Sequence, residues 1–450
     1  MSRTDGLYSA MQRRAIDQML AMASIDDKAK IVRAFQLAER ITPDQYKSWV
    51  RFVTDKVSED HPALQIARRV SSTLSPQCRS SFIEGFVVNN LLRGVAKRKE
   101  LTRRTGCSAP TAVLISPTMR CNLACDGCYA GEYSPDRDLE MPLLQRIVDE
   151  GNEMGVYLFF LLGGEPFVYD ELLTLARQNR VSYFVIFTNG TLLTDDTIAE
   201  LAELGNVAPM LSLEGSSLMT DMRRGAGVHE RVTAAMERLG EAGVLYGYSV
   251  TVTRDNWRLL TSDAFVDELT AKGALLGWHF LYMPIGRNPD MGKMLTPKER
   301  NELRVGIQRI RNTKPIFPID FWGDAPYVNG CIAAKHYLHI NSEGGVEPCI
   351  FTHFATDNIR DVSLLEAFNS PYFREIRARQ PFNQNLLMPC MLIDNPEVSR
   401  EIMVRTDARP SHSGAEDVLT YLHDDLDEYA AEVRRVYAPI WSCWKGEAVD

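Results

Sequence analysis

Three cysteines stand on one short segment, Ser116-Pro-Thr-Met-Arg-Cys121-Asn-Leu-Ala-Cys125-Asp-Gly-Cys128-Tyr129-Ala130. Thiolates are soft ligands that suit iron–sulfur clusters and zinc. A structural zinc site closes its shell with four ligands, usually from paired two-ligand knuckles. No histidine or further cysteine follows in this segment to complete such a shell. Three thiolates around a [4Fe–4S] cube would leave one iron open to a small molecule. Zinc and buried structural thiols are the alternatives. A second, looser set is Cys331, Cys349 and Cys390. Nine cysteines, an odd number, in a chain that opens without an apolar signal segment are poor disulfide material.

Chemistry of this kind needs a scaffold. At 450 residues the chain is long enough for two or three domains. Residues 1–108 read as helical. Ile16, Met19, Leu20 and Ala23 share one face, and Thr42-Pro43-Asp44-Gln45 reads as a capping box with Ile41 and Tyr46 as its staple. From 109 to 312, short apolar runs alternate with helical patterns. The strand candidates are Ala112–Ser116, Tyr157–Leu162, Tyr183–Thr188, Ala208–Leu213, Tyr248–Thr253 and Gly277–Met283. Leu143, Leu144, Ile147 and Val148, and then Ile198, Leu201 and Leu204, mark helices between them. Six such units imply parallel βαβ connections, too few for a closed eight-stranded barrel, and ligands in such architectures bind at the C-terminal strand ends. The fold class expected is α/β, a partial (β/α)6 barrel. From 313 the periodicity breaks at Pro315, Pro318, Gly323, Pro326 and Gly330. A helical segment through Leu419, Leu422, Leu426, Tyr429 and Val433 closes the chain, so 313–400 and 401–450 are read as a third domain and a terminal helix.

The first cysteine segment, Cys-x3-Cys-x2-Cys after the first strand, resembles the signature of the radical S-adenosylmethionine (SAM) superfamily. The resemblance extends along the chain. Gly163-Gly164-Glu165-Pro166 looks like the family's GGEP motif, which implies that it holds the SAM amino group. Thr188-Asn189-Gly190 is similar to its TNG turn. Ser212 and Glu214 match the ribose-side position, and Arg223-Arg224-Gly225 resembles the Arg-Gly element, where an arginine meets the SAM carboxylate. Many members carry an aromatic just before the third cysteine. Here Gly127 stands there, and Tyr129 is the expected substitute for the adenine-side contact. The resemblance implies a [4Fe–4S] cluster on Cys121, Cys125 and Cys128, reductive cleavage of SAM, and a 5′-deoxyadenosyl radical that takes hydrogen from an unactivated C–H bond.

Cys331-(12 residues)-Gly344-(4 residues)-Cys349 resembles the opening of the auxiliary-cluster domain known as SPASM, or its shorter Twitch form. Tyr337–Ile340 and Gly345-Val-Glu347 read as a hairpin turning at Asn341–Gly344. One auxiliary [4Fe–4S] cluster on Cys331, Cys349 and Cys390 is expected, its fourth ligand coming from Cys443, His353, Asp394 or substrate. His336 and His339 are an odd number of residues apart, so on a strand they face opposite ways. The catalytic side chains beyond the cofactor ligands are not assigned. Competing readings are a peptide-modifying maturase, an enzyme acting on a lipid chain with attendant membrane contact, and a non-catalytic iron–sulfur electron carrier. A ferredoxin or flavodoxin donor is expected by resemblance. With net charge −9, phosphates find no broad basic surface, which argues against nucleic-acid partners. The basic run Arg93, Lys97, Arg98, Lys99, Arg103, Arg104 reads as a solvated helix face. No stretch nears the ~20 apolar residues of a membrane span, so a cytoplasmic protein is expected.

Overall fold

A computed structural model describes residues 61–445 and, before them, residues 32, 36, 51, 54, 55, 58 and 59. The helix through Ile16 and the capping box at Thr42 lie outside the described residues.

All six expected strands are present: β1 (Ala112–Thr118), β2 (Leu158–Gly163), β3 (Tyr183–Thr188), β4 (Val207–Leu213), β5 (Gly247–Val252) and β6 (Leu276–Leu281). Each pairs in parallel with the next, and a helix lies in each interval. Their near-continuous apolar character follows from burial on both faces. The helix Met141–Met154 buries Leu144, Ile147 and Val148 against the sheet, and Asp195–Leu204 buries Ile198, Leu201 and Leu204. Each such side chain contributes about 1.5–3 kcal/mol by leaving water.

The sheet runs beyond the six strands. A seventh, β7 (Phe317–Asp320), joins β6 in parallel at one edge. The stretch where prolines and glycines break the periodicity therefore contains a strand. Pro318 is tolerated because β7 is an edge strand, where a missing N–H costs no ladder bond. On the other side, the expected hairpin, β8 (Tyr337–Ile340) and β9 (Gly345–Glu347), docks on β1 through β8. A short strand, Asp357–Asn358, ends that side. The ten-stranded sheet does not close. It crosses the 312/313 boundary, so the second cysteine set is carried on an extension of the barrel itself.

The described part of the N-terminal region is helical, Pro62–Thr73 through Gly94–Thr105. The basic run there is only partly solvated. Lys99, Arg103 and Arg104 are exposed, whereas Arg98 is buried with Nη1 donating to Gly155 O at 2.5 Å. Lys97 Nζ donates to Asn152 O at 2.8 Å. Both cations meet the carbonyl end of the helix Met141–Met154, where the helix dipole is negative. The last helix, His423–Trp444, buries Leu426, Val433 and Tyr437.

Candidate functional site

The first cysteine segment leaves the C-terminal end of β1 and is held by the ends of the neighbouring strands. Gly163 and Gly164 end β2 against the backbone that leads into Cys121. A Cβ at Gly163 would sit 2.4 Å from Thr118 O, and one at Gly164 would sit 2.2 Å from Arg120 O. In this structure, what the glycines let approach is the cysteine loop. Gly164 N and Glu165 N in turn donate to Thr118 O and Arg120 O, at 3.1 and 2.9 Å. Gly164→Ala is therefore expected to displace the loop, so that the variant takes up at least tenfold less iron at this site under identical anaerobic reconstitution. Iron per chain and the melting curve, measured together, check this.

Glu165 is 1% exposed and braces two strand ends. Its Oε1 accepts from Thr188 Oγ1 (2.7 Å) and Phe167 N (3.1 Å), and its Oε2 from Asn189 N (2.7 Å). Burial pushes its carboxyl up from the ordinary range, against those three donors. A carboxylate has about four acceptor positions, so capacity remains for one more donor. Pro166 is buried and opens the short turn Pro166–Val168. Asn189 Nδ2 donates to Asn122 Oδ1 at 2.8 Å and lies 3.9 Å from Cys121 Sγ.

Arg223 grips the same loop from β4's side. Nε donates to Asp126 O at 3.0 Å, Nη2 to Gly127 O at 3.2 Å, and Nη1 to Glu214 and to Thr251 Oγ1. Arg224 puts Nε and Nη2 on Glu214 Oε1, at 2.8 and 2.6 Å. Glu214 Oε2 is left buried and without a partner. Ser212 Oγ bonds Ser249 Oγ at 3.2 Å. Three supports were not found by sequence reasoning, because no local motif marks them: Arg287 (Nη1 to Cys125 O, 3.3 Å), Lys293 (paired with Asp126) and Tyr282. The Tyr282 ring lies 2.8 Å from where a Gly127 Cβ would be, and Gly127 has φ +62°. Tyr129 turns instead toward Phe351, ring centroids 5.8 Å apart, and His353.

One cavity of about 590 Å3 is lined by all six cysteines of the two sets. Aromatic rings bridge them: Tyr129 to Phe351, Phe351 to Trp322 (5.5 Å) and Phe280 (6.2 Å), Phe280 to Phe321 (5.2 Å), and Phe321 to Tyr337 (6.4 Å). Charged wall residues are few, chiefly Arg223, Arg224, Asp320 and Asp324. An outer groove of about 700 Å3 beside Asp138 and Glu171 is lined by no cysteine.

The donor sets fit iron–sulfur chemistry. Loss of hydration, then the charges of Glu165, Cys125 and Cys128, push the Cys121 thiol up to about 11. Burial pushes Cys349 up to about 11 against the hydrogen bond from Tyr337, Cys390 up to about 12, and Cys331 higher still. Thiolates are soft donors suited to iron–sulfur clusters, and three sulfurs of each set line one cavity. Ser212 lies on the cavity wall, whereas the unpaired Glu214 Oε2 is buried off it.

The family models match "Radical SAM superfamily" over residues 115–257 and "Iron-sulfur cluster-binding domain" (SPASM) over residues 331–391. The mycofactocin maturase MftC of Mycolicibacterium smegmatis is 33% identical over 295 residues, 61% of this chain and 74% of that protein. The chain belongs to the radical SAM superfamily. As a SPASM-containing radical SAM enzyme it uses a [4Fe–4S] cluster and SAM, with auxiliary iron–sulfur binding in its C-terminal part. The AdoMet-dependent heme synthase of Oleidesulfovibrio alaskensis is 27% identical over 316 residues, covering 63% of this chain and 80% of that protein. Streptococcus suis SuiB bound to S-adenosylmethionine shares the fold, with TM-score 0.57, 19% identity, and coverage of 69% of this chain and 78% of that one. Among the described residues, no helix is long and apolar enough to cross a membrane.

Of the side chains expected at the fourth position of the second set, two are engaged elsewhere and the third lies off the cavity wall. Asp394 takes Arg300 Nη1 and Nη2 at 2.5 and 3.0 Å and Cys390 N at 3.0 Å. His353 bonds His412 Nε2 through Nδ1 (2.8 Å) and Ile350 O through Nε2 (2.9 Å). Cys443 is exposed near the end of the last helix and is not on the cavity wall. His339 is fully buried in a network of its own, while His336 lines the cavity, in keeping with their opposite facing.

Proposed function

We propose that this radical SAM enzyme acts on an uncharged, apolar group that enters the aromatic chamber between its two thiol sets. The observation that carries the reading is that one cavity is lined by both sets and walled mainly by aromatic and aliphatic side chains. In this reading Cys121, Cys125 and Cys128 hold the SAM-binding cluster, and Cys331, Cys349 and Cys390 hold the auxiliary one. In the same reading the domains are 1–108, 109–312, 313–400 and 401–450, the third adding strands to the barrel sheet. Glu165, backed by Gly163, Gly164 and Pro166, receives the SAM ammonium. Ser212 receives a ribose hydroxyl, Glu214 holds Arg223 and Arg224 in place behind it, and Arg223 faces the carboxylate. Thr188 and Asn189 keep Glu165 and Cys121 in register, and Tyr129 and Tyr282 wall the loop. When bound, the cluster and SAM supply a 5′-deoxyadenosyl radical able to take hydrogen from carbon. The residues of the chamber exclude water and aim the C–H bond.

The substrate is proposed to be a peptide presenting such a side chain. MftC is named a maturase, and SuiB has been seen bound to the precursor peptide SuiA. A cytoplasmic setting and a ferredoxin or flavodoxin donor belong to the same proposal. The test uses anaerobically reconstituted protein with SAM and dithionite. 5′-Deoxyadenosine should form, and deuterium from a labelled cell extract should appear in it. Full iron without any 5′-deoxyadenosine would leave the electron-carrier reading standing. Label traced to a lipid fraction would replace the peptide.

A further inference from the structure

The second cysteine set has a neighbour that no motif names. Tyr337 begins β8, is 4% exposed, and places its Oη 2.9 Å from Cys349 Sγ. Its ring continues the aromatic wall from Phe321, and it lines the chamber together with Cys331, Cys349 and Cys390. Asp394 and His353, the side chains expected to complete this set, are committed elsewhere, Asp394 to Arg300 and the Cys390 amide, His353 to His412 and Ile350 O.

We infer that Tyr337 is the fourth group of the auxiliary site, donating its hydroxyl hydrogen to the Cys349 sulfur and so setting how readily the cluster there takes an electron. This rests on the proposal that Cys331, Cys349 and Cys390 hold that cluster. A thiolate can only accept, so the phenol O–H is the donor. A hydrogen bond to a ligand sulfur stabilises the more negative, reduced form and raises the potential. Tyr337 is a positioning residue in this sense. Tyr337 and Cys349 both line the chamber, so the hydrogen bond acts where an electron leaving the substrate would arrive.

The test is a potentiometric titration of the full-length reconstituted protein, followed by electron paramagnetic resonance of the reduced auxiliary signal, the one that added SAM does not shift. Tyr337→Phe should keep its iron and lower the midpoint by at least 59 mV, which is tenfold in a one-electron equilibrium. 3-Fluorotyrosine at position 337, a stronger donor of nearly the same shape, should move it upward. An unchanged midpoint at equal iron overturns the inference. Loss of the auxiliary iron from a Tyr337→Phe protein that melts normally also overturns it, by making Tyr337 a ligand to iron. Wild-type protein with no second signal at all would defeat the underlying cluster assignment instead.

Discussion

Cys125→Ala protein, reconstituted anaerobically and given SAM and dithionite, is expected to release 5′-deoxyadenosine at least a thousandfold more slowly than wild type, a loss of about 4 kcal/mol of transition-state stabilisation. The size follows from the arrangement around the loop. Arg287 holds the Cys125 carbonyl, Arg223 holds the carbonyls of Asp126 and Gly127, and Arg287 N donates to Cys128 O at 3.0 Å. This clamp fixes the three sulfurs from outside, so removing one sulfur leaves a rigid site with a ligand missing. The loop cannot shift another residue into the gap. Cys349→Ala should behave differently. Its release of 5′-deoxyadenosine should fall by roughly two orders of magnitude less than that of Cys125→Ala on the same scale, while formation of the oxidised product stops. Equal losses in both variants would mean that the two thiol sets do not have separate tasks. Chromatographic quantitation of 5′-deoxyadenosine against iron per chain gives both answers.

Much of this site was legible because the chemistry sits where parallel strands end. β1 to β6 are buried on both faces, which forces continuous apolar runs, and the turns after them need glycine or a cap. The motifs Gly163-Gly164-Glu165-Pro166 and Thr188-Asn189-Gly190 are therefore local, and local signals survive in a sequence. What escaped depends on distance along the chain. Arg287 and Lys293 reach the loop from beyond β6, more than 150 residues after it, with nothing nearby to mark them. β7 was hidden because Pro318 reads as a breaker unless one already knows that the strand lies at an edge. The parity of His336 and His339 separated the two correctly but gave His339 no partner. That partner, Glu347, lies directly across the hairpin.

His339→Leu is expected to cost about 3–5 kcal/mol, because it strands a fully buried carboxylate. His339 and Glu347 are both 0% exposed and meet at 2.7 Å, Nδ1 to Oε2. Glu347 Oε1 also accepts from Tyr133 Oη and Asn341 Nδ2, each at 2.8 Å, and His339 Nε2 meets Ser116 Oγ at 2.7 Å. The network joins β1, both strands of the hairpin and the loop after Cys128. Ser116 is five residues before Cys121, and Glu347 is two before Cys349. Loosening it should therefore release iron from both thiol sets together, which a change at either cysteine loop alone would not do. The urea midpoint of the reconstituted protein, with iron followed through the transition, measures this. His339→Leu/Glu347→Leu should lose less stability than His339→Leu alone, since removing both partners leaves no unpaired charge in the interior. If the single and double variants unfold at the same urea concentration, burial of an unpaired carboxylate is not what costs the single variant its stability, and the pair is acting only through its shape.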